Sequence, residues 1–182
     1  MDKTVAADLY RYGRLKGISG LLKGMRNPCF RYVYFFRIGN KYSKYHPLGF
    51  FSRLALPFFQ LIYGINIPLK AKIGEGLYIG HPGTIRFNIN ARMGKNCNLT
   101  HNVTIGIANR GRLKGVPTIG DKVWIGTGAV IVGNIKIGSN VLIAPNSFVN
   151  FDVPDCSLVI GNPGTIHKNG NPTEDYINNT LN

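Results

Sequence analysis

Two histidines and one basic loop are the parts of this chain best suited to chemistry. His81 ends the stretch GlyLeuTyrIleGlyHis, and His101 follows twenty residues on in ThrHisAsnValThr. Imidazole titrates in the range that lets it accept a proton near neutral pH, so either ring suits general-base work on a hydroxyl. Residues 107–117, IleAlaAsnArgGlyArgLeuLysGlyValPro, gather Arg110, Arg112 and Lys114 with no acid among them. Such a loop is either solvated or holds a phosphorylated ligand. The other histidines, His46 and His167, and the cysteines Cys29, Cys97 and Cys156 have no metal-ligand spacing, so no metal is expected.

These groups sit in a chain of 182 residues, of which 44% are hydrophobic and 16% charged, enough apolar matter for one packed domain with a small appendage. Three cysteines cannot all pair, and no signal peptide precedes them, which points to a reducing cytoplasm. No apolar run reaches the roughly 18 residues of a membrane span. The formal charge of +14 favours anionic partners, though no nucleic-acid-binding motif accompanies it and none is expected to bind.

The charge is concentrated. Residues 1–62 hold eleven of the 22 Lys and Arg but only two of the eight acids, and are rich in aromatics. They read as a helical region. Thr4 caps a short helix through Tyr10; Asn27 and Pro28 open a second, running to about Lys44. Pro47 resets the chain for a third to about Tyr63, which Pro57 should kink or shorten. This region is either a cap that packs on the rest or on a sister subunit, or a peripheral contact with the cytoplasmic membrane face.

From residue 67 an apolar or small residue recurs every six positions: Ile67, Ile73, Ile79, Ile85, Ala91, Cys97 and Val103, then Ile119, Ile125, Ile131, Ile137, Ile143 and Val149. Six fits neither a helix nor an alternating strand; it fits a short strand plus a corner, repeated, as in a hexapeptide parallel β-helix. The abundant glycines, 23 in all, suit its corners. Between Val103 and Ile119 the register breaks, leaving ten residues extra, or four if Asn109 counts as a repeat position. The expected fold is therefore mainly β: residues 1–62 helical, 63–168 a β-helix with an excursion loop at 107–117, and 169–182 a tail.

The chain resembles the hexapeptide-repeat acyltransferases, in the serine O-acetyltransferase-like branch that includes O-acetyltransferases of capsule and exopolysaccharide clusters. The resemblance covers about residues 63–168 and rests on the repeat, IleGlyHisProGlyThr (79–84), ValThrIleGly (103–106) and IleGlyAsnProGlyThrIle (160–166). It implies a left-handed β-helix, a homotrimer with sites shared between chains, and acetyl-CoA as donor. It implies that His81 is the general base, with Asn66 where the family's orienting Asp stands and His101 as a secondary or acceptor-site residue. It places the donor against Gly106, Ile107, Ala108, Thr127, Gly128, Ala144 and Pro145, with Arg110, Arg112, Lys114, Lys136 and Lys168 as cations for its phosphates.

The residues that grip serine in the family are absent. Gly80 replaces the Asp before the His, GlyValPro (115–117) replaces ArgHisPro, and Ile89 replaces a Glu. A serine zwitterion buried without partners would be costly, so the expected acceptor is a neutral hydroxyl on a sugar or surface-polysaccharide precursor, with serine as the alternative. The rivals are a longer acyl donor, a zinc hydratase on the same prism, which would need a third histidine, and a non-catalytic trimeric scaffold.

Overall fold

The computed structural model describes residues 1–181. Four helices lead: α1 (Lys3–Arg11), α2 (Gly17–Gly24), α3 (Pro28–Lys41) and α4 (Pro47–Tyr63). Asp2, not Thr4, caps α1, because its carboxylate reaches the N–H groups of Thr4 and Val5 at 2.9 and 3.4 Å. Asn27 caps α3 by accepting from Cys29 N and Phe30 N, as expected, but the helix ends at Lys41, where Tyr42 turns extended. Pro57 does not shorten α4, which runs through it to Tyr63 with the proline itself exposed. Helix α2 is unanticipated, because three of its eight residues are glycines. Packing compensates: Gly24 is buried close against Leu9 and Phe30, and a Cβ there would lie 2.7 Å from Leu9 Cδ1, so a larger residue would force that side chain to shift.

The rest is a left-handed parallel β-helix of about five turns. One face stacks β1 (Ile65–Asn66), β4 (Ile85–Phe87), β7 (Val103–Gly106), β10 (Val130–Val132) and β13 (Phe148–Val149). A second stacks β2 (Lys72–Ile73), β5 (Arg92–Met93), β8 (Thr118–Ile119) and β11 (Lys136–Ile137). The third stacks β3 (Tyr78–Ile79), β6 (Asn98–Leu99), β9 (Val123–Ile125), β12 (Val141–Ile143) and β14 (Ser157–Ile160), closed by antiparallel β15 (Thr165–Lys168). Twelve of the thirteen six-residue repeat positions are buried; Ile73, in the first coil, is half-buried.

The register departs from the sequence expectation in two places. Ile79 pairs with Leu99 and Ile85 with Val103, so the first corner between the third and first faces takes six steps where the next takes four. Two extra residues therefore enter at Gly80–Thr84. Further on, Thr104 pairs with Val130, a coil of 26 residues, whereas Val130 pairs with Phe148, a coil of eighteen. The excursion is thus eight residues, neither ten nor four. A strict count of six had absorbed the earlier insertion, because each face buries two positions and a slip of two still lands on an apolar residue.

The helices are tied to the first coils by buried polar contacts. Arg37 forks onto Asp8 at 2.7 and 3.2 Å and donates to the Ile73 and Gly74 carbonyls, while Leu77 N donates to the same carboxylate. Burial pushes the Asp8 carboxyl up, against the pull of the guanidinium and the backbone donors. Arg11 bonds the Gly76 carbonyl, Asn98 and the Asn178 carbonyl, joining α1, the prism and the tail. The tail runs back over the third face, where Tyr176 packs edge-on against Trp124.

Candidate functional site

The six-step corner carries His81. Its Gly83 N–H donates to the Tyr63 carbonyl at 2.7 Å, and Ile85 N–H donates to the carbonyl of Gly64, the left-handed cap that ends α4. On the other side the corner rests on His101. Gly83 has φ +145°, and a Cβ there would lie 2.7 Å from His101 Cβ, so glycine is required for the two coils to stack. Pinned from below and above, the two additional residues push the His81 side chain out of the prism, where it is exposed.

The His81 and His101 rings lie edge to face, 6.2 Å between centroids. His101 is half-buried, and its Nδ1 is enclosed without a hydrogen-bond partner. No hydrogen bond joins Asn66 to His81 among the described residues. Asn66 lies in β1, one rung below Arg86 of β4, between the inward Ile65 and Ile67, and so stands on the outer surface of the first face. Arg86 is exposed on the strand that directly follows the His81 corner, and its guanidinium makes no ion pair among the described residues. Neither Arg86 nor Gly83 was singled out from the sequence. The signal was the six-step spacing from Ile79 to Ile85 set against the four steps from Leu99 to Val103.

Thr127, Gly128, Ala144 and Pro145 continue the His81 edge upward. Gly128 N donates to the His101 carbonyl and Asn146 N to the Thr127 carbonyl, so these corners stack coil on coil. Gly106, the last residue of β7, and Ile107 and Ala108 beyond it lie on a different edge. There Ala108 and Gly115 exchange both backbone hydrogen bonds at 3.0 Å, closing the excursion into a small hairpin. Arg110, Arg112 and Lys114 ride on it, exposed and free of ion pairs among the described residues. Lys136 lies on β11 and Lys168 at the end of β15, both exposed. Apart from Asn66, on the first face, and Lys168, paired with Ser157 at the start of the third, the structure thus groups the predicted residues on or near two edges of one prism, with the first face between them, and does not bring them into one cleft within the chain. Among the described residues no three His, Cys, Asp or Glu side chains converge as metal ligands.

A family profile described as "Bacterial transferase hexapeptide (six repeats)" matches residues 117–150. The serine acetyltransferase of Staphylococcus aureus (strain N315) is 44% identical over 105 residues, 58% of this chain and 49% of that protein. The chain thus spans about half the length of the relatives it matches in sequence. Among solved structures, serine acetyltransferase of Neisseria gonorrhoeae in complex with serine superposes with a TM-score of 0.69 at 33% identity, covering 91% of this chain and 68% of that one. Serine acetyltransferase of Brucella abortus strain S19 in complex with coenzyme A gives 0.74 at 25% identity, covering 91% and 67%. These matches overturn the expectation of a sugar hydroxyl as acceptor. That expectation took the loss of grips at Gly80, Ile89 and Val116 as loss of the ligand.

Proposed function

The chain belongs to the hexapeptide-repeat acyltransferases, in their serine O-acetyltransferase-like branch, and from that membership we propose that it moves the acetyl group of acetyl-CoA to the hydroxyl of serine, with His81 as general base. The observation that carries the reading is the two-residue insertion that holds His81 out of the prism, pinned by Tyr63, Gly64 and His101. In this reaction the imidazole takes the hydroxyl proton as the oxygen attacks the thioester carbonyl. The C–S bond then breaks, and the departing thiolate takes the proton back from the imidazolium. His101, packed edge to face against that ring, acts as its positioning residue.

The donor half of the site is the hairpin edge, where Arg110, Arg112 and Lys114 present cations to the phosphates of the donor and Gly106 and Ala108 present backbone groups. Because the two halves lie on different edges of one prism, the site is complete only where the His81 edge of one protomer faces the hairpin edge of the next. A closed ring of three protomers provides three such junctions. Arg86 supplies the cation for the serine carboxylate, a role supported by its exposure beside the His81 corner and its lack of an ion pair.

Release of free CoA from acetyl-CoA tests the proposal. It is expected to depend on added L-serine; release no faster with serine than with buffer overturns it. Arg86→Ala is expected to raise KM for serine about tenfold or more with little change in kcat, because a charge-assisted contact to the carboxylate serves ground and transition states alike. Changing Arg110, Arg112 and Lys114 together to Gln should weaken CoA binding about tenfold at low salt, since three exposed ionic contacts of about half a kcal/mol each combine to that size. Calorimetric titration at two ionic strengths reads it, with a smaller difference expected at the higher.

A further inference from the structure

Helix α4 is apolar on both sides. Gly49, Ser52, Leu56 and Phe59 face inward, toward α3 and β1. The opposite stripe, Leu48, Phe51, Leu54, Phe58, Leu61 and Ile62, recurs at helical spacing and is 48 to 85% exposed. A surface this apolar on a water-facing helix marks a contact. The segment of chain that carries it is basic, although Arg11 and Arg37 are buried and Lys41 pairs with Asp2. Between Asp8 and Glu75 the chain carries twelve Lys and Arg and no Asp or Glu. Lys44 and Arg53 border the stripe directly, lining a hollow with Tyr45, Phe50 and Leu54.

We infer that α4 is a docking surface for an anionic phospholipid membrane, lying in the interface plane with its outer stripe in the acyl boundary and the surrounding cations on the headgroups. The charge decides between occupants. A second copy seated stripe against stripe about a two-fold axis would bring Lys44 and Arg53 of both chains together, with no Asp or Glu in residues 9–74 of either to pair with them. An anionic lipid surface satisfies both the apolar stripe and the cations. No helix among the described residues is long and apolar enough to cross a membrane, so the contact is peripheral. The inference stands apart from the reaction at His81 and does not depend on it.

Sedimentation of the full chain with vesicles tests it. The protein is expected to pellet with phosphatidylglycerol-rich vesicles and to bind pure phosphatidylcholine vesicles about tenfold less, with the difference shrinking as salt rises. The exposed double substitution Leu54→Glu and Phe58→Glu should lower binding to the anionic vesicles at least about tenfold while thermal melting and oligomeric mass by light scattering stay unchanged. Failure of the unmodified protein to bind anionic vesicles overturns the inference. So does undiminished binding by the double variant, or a fall in its oligomeric mass, which would assign the stripe to a second copy.

Discussion

Replacing His81 by alanine is expected to lower kcat for serine-dependent CoA release by at least about two orders of magnitude, the usual worth of a positioned general base. The ring is exposed and makes no hydrogen bond within the described residues, so the fold loses little: thermal melting should move by no more than an ordinary surface substitution does. KM for serine should change far less than kcat, since the proton is transferred only in the transition state. Steady-state kinetics and a melting curve on the same preparation check both halves. Near-normal kcat would remove His81 as base and turn attention to His101, whose Nδ1 lacks a partner.

The second large effect is on stability. Asp8→Ala should destabilise the protein by about 3–5 kcal/mol, because it leaves the Arg37 guanidinium buried without its counter-charge. Against the 5–15 kcal/mol available to a typical domain, that is a large fraction. Chemical denaturation followed by circular dichroism measures it. Replacing both residues together, Asp8→Leu with Arg37→Met, should recover much of the loss, because no unpaired charge then remains inside. Equal destabilisation by the single and the double variant would show that hydrogen bonds to the Ile73, Gly74 and Leu77 backbone, rather than the pairing of charges, hold the helices to the prism.

How the site was and was not legible follows from the range of each interaction. His81 and the basic hairpin were readable because their flanking residues are local. The reading that failed, a sugar as acceptor, came from comparing positions one at a time along the chain. In a β-helix an outward group is supplied as readily by the strand above or below as by a sequence neighbour. Arg86 follows His81 by five residues, yet its place on the first face, one rung above Asn66, comes from pairing between coils, which no count along the chain displays.

The sequence by itself determined the prism, the caps at Asn27 and Pro28, the placement of α3 and α4, and the position of His81 at a coil corner. These rest on short-range physics: a period of six, fixed proline dihedrals, and side chains reaching N–H groups two or three residues away. Only the tertiary structure decided the two-residue insertion at Gly80–Thr84 and the eight-residue length of the hairpin. It also decided the ion pair between Asp8 and Arg37, the return of the tail to Arg11, and the outward turn of an apolar α4 face. Each depends on which residue of one coil or helix lies against which residue of another. That choice is made by closing the core as a whole, where a slip of two residues buries nearly the same apolar area but moves every corner.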